Sequence, residues 1–357
     1  MQPRLLRRGE EGCRSLWQCH LVAELDSPDH FLGDIVPLPT GNARAEGVAR
    51  WPNRTVIDKC GAMRSVGRRL LAAVTGLWWP RMLWIVVAVT GAWSIGGTVD
   101  DRSAGLRTTI VIVAWLAWGL GVVALVVPST LGLTVMRMLS ALACGAAAVT
   151  WVGGAPPAAG AGFVVGAAIC GLFVGGADFG QRCAQASAYG DERRFLLRPP
   201  AAFLLPVGLA GLIWVTAVLA APLLLGSRRW LIGGVVAIVA ALLSWLLLPR
   251  FNSLARRWLV LVPAGLVVHD QVVLAETLMV ARPNVVRINL ALAETEAADL
   301  TGPAGGHAVE IGLRSMVTAT LAPTNAAPRG TALHVQSFLV APTRPGAFLA
   351  AAQHMRS

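Results

Sequence analysis

Across residues 82–248 the chain alternates long apolar blocks with short polar breaks. The six blocks are 82–99, 108–127, 131–151, 158–176, 201–225 and 230–248. Each is close to the roughly 20 residues that cross about 30 Å of hydrocarbon. Inside hydrocarbon every backbone N–H and C=O must be paired within its own segment, so blocks this apolar predict helices. Little more than Pro128 and Ser129 parts the second block from the third, which predicts a tight hairpin. Pro206 lies inside the fifth block and predicts a kink there.

After residue 248 the period shortens to two. Trp258-Leu259-Val260-Leu261-Val262, then Pro263-Ala264-Gly265, then Leu266-Val267-Val268-His269 read as strand, turn and strand. Further strand-type runs occupy 272–274, 285–290, 308–312 and 333–340, with turn residues between them. Thr343 as an N-cap and Pro345 in a first turn predict a closing helix over 347–355.

Ahead of the blocks, residues 1–62 show no apolar period. They read as a disordered leader, or as an extension upstream of a natural start at Met63. In 63–81 the spacing of Val66, Leu70, Val74 and Leu77 is helical. Arg64, Arg68 and Arg69 stand on the other faces, and Trp78 and Trp79 follow. A basic amphipathic segment closing in tryptophans belongs in the headgroup layer.

Composition agrees with a membrane chain: 55% of residues are apolar and 14% charged, against about a quarter charged in soluble domains. The net charge of +11 is almost all arginine, Lys59 being the sole lysine. With no Gly-Lys pair, a Walker A phosphate loop is excluded. Because the arginines flank apolar blocks, they point to anionic headgroups and to topology rather than to nucleic acid. Twelve Arg or Lys residues precede the first block, Arg182, Arg193, Arg194 and Arg198 follow the fourth, and Arg250, Arg256 and Arg257 follow the sixth. The opposite side holds Arg102, Arg107, Arg228 and Arg229. An inner-membrane protein of a bacterial cell with both termini cytoplasmic is expected. Arg64, Arg68, Arg69, Arg81, Arg193, Arg194, Arg198, Arg250, Arg256 and Arg257 then meet one membrane surface.

Within the spans, Gly162 and Gly166, and again Gly171 and Gly175, stand four apart, a spacing that lets helix backbones approach closely. This makes the fourth span the expected packing core. Arg137 is the one ionisable side chain set deep in a block. It reads as a functional charge, or as a cation snorkelling to the near interface.

No GxSxG, HExxH or GxGxxG occurs, and no catalytic, cofactor-binding or metal-binding set is expected. Cys13, Cys19 and His20 lack an evident fourth ligand, and the six cysteines include no CxxC pair. His269-Asp270 ends a hairpin strand, where neighbours face opposite ways, and reads as a turn-facing polar pair. His307 and Glu310, near a strand start, are expected to face solvent. The spans hold no His, Asp or Glu in their interiors, which counts against an ion-coupled transporter.

The stretch RRWLVLVPAGLVVHD and the ending VQSFLVAPTRPGAFLAAAQ resemble the first hairpin and the last strand and helix of bacterial PH-like domains. Such domains are appended to membrane spans in multi-pass actinobacterial proteins. The resemblance implies a small α+β barrel with a C-terminal helix over 250–357, following an α-helical membrane bundle of six spans. It also implies binding or scaffolding at the inner leaflet, to lipid headgroups or another membrane protein, without a cofactor. The alternatives are a permease or channel component, with Arg137 and the fifth span in its path, or a membrane enzyme of lipid or cell-envelope metabolism.

Overall fold

A computed structural model describes residues 78–323, 328 and 330–356. The leader, most of the 63–81 segment, Arg64, Arg68, Arg69, Cys13, Cys19 and His20 lie outside the described residues. The helices in chain order are α1 (Trp78–Val99), α2 (Ala104–Val126), α3 (Thr130–Val152), α4 (Pro157–Gly175), α5 (Ala177–Ala186), α6 (Ala201–Gly226) and α7 (Trp230–Ala255). All but α5 are long and apolar enough to span a membrane, so the chain is a multi-pass membrane protein. The helix α7 runs past the expected boundary at 248, through Pro249 and Arg250 to Ala255.

The hub of the bundle is α3, which packs against α1, α2, α4, α6 and α7. Its buried residues include Leu133, Met136, Leu139 and Ala147, whereas α6 buries only Trp214, Ala221 and Gly226. The fourth span shares that core, burying Phe163, Gly166, Ala167, Cys170 and Val174, while α3 touches the most neighbours. Gly162 faces Thr90, and Gly166 faces Val86 and Thr90, so this pair brings α4 against α1. Gly171 faces Cys144 of α3, while Gly175 has no neighbour within 4 Å. Polar side chains inside the bundle find partners, as lipid demands: Ser94 donates to Thr150 Oγ1 at 2.9 Å and Trp214 Nε1 to Ser244 Oγ at 2.8 Å.

Two four-stranded sheets follow. The first comprises β1 (Arg193–Leu196), β2 (Trp258–Val262), β3 (Gly265–His269) and β4 (Leu278–Ala281), antiparallel in that order. The second comprises β5 (Val285–Leu290), β6 (Ala298–Asp299), β7 (Val309–Leu321) and β8 (Thr331–Val340), in the order β5-β7-β8-β6. Their shared core includes Leu259, Leu266, Ile311 and Phe338, and the final helix α8 (Pro345–Arg356) adds Phe348. The expected barrel does not close. The sheets are separate ladders, linked by the isolated bridges Leu274 to Leu321 and Leu197 to Pro342 and by backbone bonds beside them.

Three local expectations change. Residues 271–273 are a turn and only Leu274 keeps a β-bridge, because the Asp270 carboxylate accepts from the N–H groups of Val272 and Val273 and curls the chain. Thr343 does not cap the last helix; its N–H donates to the carbonyl of Leu196 at 2.8 Å, and α8 starts at Pro345. Most consequential, β1 comes from the connection between the fourth and fifth spans, so the sheet domain extends beyond 250–357. Leu197 and Arg198 continue the join, bonding the carbonyls of Arg257 and Ala341 at 3.0 and 2.8 Å.

Candidate functional site at the junction of bundle and sheets

The chain leaves α4 at Gly176, forms α5, and turns back into β1. One edge of β1 pairs with β2; the other would be left open. Two glutamines of α5 close it. Gln181 Oε1 accepts from Leu196 N at 3.2 Å and Gln185 Oε1 from Arg194 N at 2.9 Å. Gln185 Nε2 donates to the Glu192 carbonyl at 3.1 Å, and Gln181 Nε2 to that of Arg194. The match is geometric: four residues of helix rise about 6 Å, and two residues of strand advance about 6.6 Å. Arg344, just before α8, forms an ion pair with Asp178 of α5.

Beneath this latch lies a buried ion pair. Arg257, the residue before β2, donates Nε to Asp270 Oδ1 at 2.8 Å and Nη2 to Oδ2 at 2.6 Å. Both side chains are 0% exposed. Arg257 also donates to the carbonyls of Arg198 and Thr301, at 2.6 and 3.3 Å. One guanidinium thus ties the start of β2, the end of β3, the 4–5 connection and the segment before β7. Arg257, expected among the membrane-surface cations, has no surface to offer. Asp270, expected to face a turn, is likewise committed inward.

Trp258 opens β2 on the opposite face. The Arg194 guanidinium carbon sits 4.9 Å over its ring, a cation–π contact worth about 0.5–1 kcal/mol at a partly exposed site. Arg194 is also held by Glu192 at 2.6 Å. The His269 ring stacks with Trp258, centroids 5.4 Å apart and planes 23° apart. Its Nδ1 meets Thr277 Oγ1 at 3.1 Å, while Nε2 is buried without a partner among the described residues. Burial, with Arg256 next, holds the imidazole below its ordinary pKa.

The other sequence-marked cations serve the backbone. Arg137 Nε donates to the Val174 carbonyl, 3.4 Å away in the last turn of α4, where the helix dipole is negative. Arg81 donates to the Leu125 carbonyl near the end of α2 at 3.0 Å. Arg198 donates to the carbonyls of Gly305 (2.6 Å) and His307. Cys183 packs near Arg137, and burial pushes its thiol up to about 12, away from nucleophilic reactivity. Because Arg137 closes the α4–α5 turn, Arg137→Gln should destabilise the bundle by about 1.5–3 kcal/mol, the worth of a hydrogen bond to a charged group. Thermal unfolding in detergent checks this, and an unchanged midpoint would place Arg137 outside the packing.

Of the ten expected surface arginines, Arg193, Arg250 and Arg256 are exposed and have no partner among the described residues. Glu310 does not face solvent: it is 8% exposed, paired with Arg287 and bonded by Thr295 at 3.0 Å. Among the described residues no cluster of His, Cys, Asp and Glu is arranged to hold a metal. A shallow groove of about 250 Å³ between β5 and α8, lined by Ile288, Asn289, Leu290, Leu349, Ala352 and Gln353, contains no titratable group. The residues that sequence reasoning missed are Gln181, Gln185, Asp178 and Thr277; the first three had a signal in the amphipathic pattern of α5, and Thr277, just before β4, had none. Comparisons with protein-family models, curated proteins and solved structures give no match.

Proposed function

We propose that this is a non-catalytic protein of the bacterial inner membrane, with cytoplasmic termini and a PH-like domain that binds anionic lipid headgroups at the inner leaflet. The strand plan supports the PH-like reading: β1 to β4 form one sheet, β5, β7 and β8 dominate the other, and a C-terminal helix covers the core. The orientation is supported by charge. Eight arginines stand at the sheet end, from Arg81, Arg182, Arg193, Arg194 and Arg198 to Arg250, Arg256 and Arg257, against four at the other end.

The observation that carries the proposal is β1. A domain whose first strand lies between two spans cannot leave the membrane surface, so its exposed Arg193, Arg250 and Arg256 stay near the leaflet. Each such cation is worth about 1 kcal/mol beside anionic lipid. The permease reading gains nothing here, since Arg137 is spent on the α4 terminus.

The test uses the full chain in phosphatidylcholine bilayers carrying traces of spin-labelled phosphatidylglycerol or phosphatidylcholine. The motionally restricted fraction gives relative association. The wild type should prefer phosphatidylglycerol, and the R193Q/R250Q/R256Q variant should lose about fivefold or more of that preference. Equal association of the two lipids with the wild type sinks the proposal.

A further inference from the structure

Trp258 opens β2 three residues after α7 ends at Ala255, close to the end of a span, where tryptophan rings favour the membrane–water interface. Arg194 is fixed over its ring and His269 is stacked with it. Thr277 holds Nδ1 of that histidine, which prevents the ring from turning freely and leaves Nε2 as a buried polar atom without a partner among the described residues. His269 as a whole is partly buried, so this edge lies just beneath the surface. Arg256, exposed and without a partner among the described residues, stands near it. Arg194 is already paired with Glu192 through Nε and Nη2. The groups that an anionic phosphate oxygen would complete are therefore the Arg256 cation and the unsatisfied ring nitrogen, beside an aromatic plate, with Arg194 holding that plate in place.

We propose that Arg194, Arg256, Trp258 and His269 form one subsite for the phosphodiester of an anionic membrane lipid, with protonated His269 donating from Nε2. The proposal rests on the inner-leaflet reading above. Binding then takes up one proton from solution. The charged groups facing the imidazole are Arg256 and, more weakly, Arg194, which oppose its protonation, Arg194 being offset by its ion pair with Glu192, and Asp270, which favours it but is already bonded to Arg257. Without lipid, the imidazole is neutral at neutral pH, its pKa held below the ordinary 6.5 by burial first. A bound phosphate adds negative charge and an acceptor, raising that pKa. Affinity therefore strengthens as pH falls through the window between the two values, by up to about tenfold for each unit that separates them.

The same spin-label measurement at two pH values tests this, because a phosphodiester keeps its charge across the range. From about pH 7.5 to about pH 5.5 the wild-type preference for phosphatidylglycerol should rise about threefold or more. In H269Q the rise should vanish, and R256Q should lower the preference at both values. As a second readout independent of variants, the imidazole NMR titration assigned to His269 should shift upward in phosphatidylglycerol bilayers relative to phosphatidylcholine. A wild-type preference that does not rise, an H269Q that rises like the wild type, or an unmoved titration overturns the subsite while leaving the inner-leaflet reading intact. Absence of any preference at either pH overturns both. Complete displacement of the labelled lipid by millimolar inorganic phosphate would overturn the lipid as the source of the phosphate.

Discussion

Residues 250–357 produced alone should not fold, although they contain seven of the eight strands and the closing helix. Cutting there removes β1, and with it Phe195 and Leu197, which are 7% and 4% exposed in the domain core. Burying each such side chain is worth about 1.5–3 kcal/mol. Phe195 also meets Phe348 of α8 edge to face at 5.3 Å. The cut opens the edge of β2 and strips Arg257 of the Arg198 carbonyl. Together these losses approach the roughly 5–15 kcal/mol that holds a typical domain together. Restoring β1 should reverse the outcome. Because Leu197 N bonds the Arg257 carbonyl at 3.0 Å, the ends left by deleting α6 and α7 are adjacent. A chain of residues 189–200, a short Gly-Ser linker and 256–357 should give a dispersed amide spectrum and cooperative melting. A dispersed spectrum from 250–357 by itself would show that the domain does not need the strand between the spans.

The six spans were legible because lipid enforces a single rule on every residue of a long block, and all their ends but the last, at Ala255 rather than 248, fall within about four residues of expectation. The join was not, because arginine carries two meanings. Arg193-Arg194 and Arg198 read as topology signals, and the three apolar residues between them carry too little periodicity to announce a strand. Arg256 and Arg257 are neighbours in sequence, yet one is exposed and the other enclosed. A clue was present in the hairpin. With Trp258 opposite His269 across a two-residue loop, the next pair outward is Arg257 and Asp270, opposite charges directly across two strands. What sequence could not supply was that a third segment, from between two spans, would bury that pair.

Removing one member of that pair should be among the most damaging single changes outside the spans. Asp270→Asn leaves the Arg257 guanidinium enclosed without its counter-charge, although its bonds to the Arg198 and Thr301 carbonyls remain. Breaking a buried pair in this way costs about 3–5 kcal/mol. Arg257→Leu is expected to fall in the same range, since it strands a carboxylate that keeps only the N–H groups of Val272 and Val273. The double variant should cost less than the sum of the two, with a coupling of about 0.5–3 kcal/mol, because neither charge is then left alone. Hydrogen exchange on the full chain separates this from a local effect. A loss of about 3–5 kcal/mol should speed exchange by roughly a hundredfold to a few thousandfold wherever protection depends on the sheet domain opening as a unit. That includes β1 and β7, far from Asp270 in sequence, while α3 in the bundle stays protected. Exchange that quickens only around 270–273 would reduce the pair to a turn cap. The spread of the change into β1 is the decisive observation, because only a clasp that holds the 4–5 connection in the core can transmit it there.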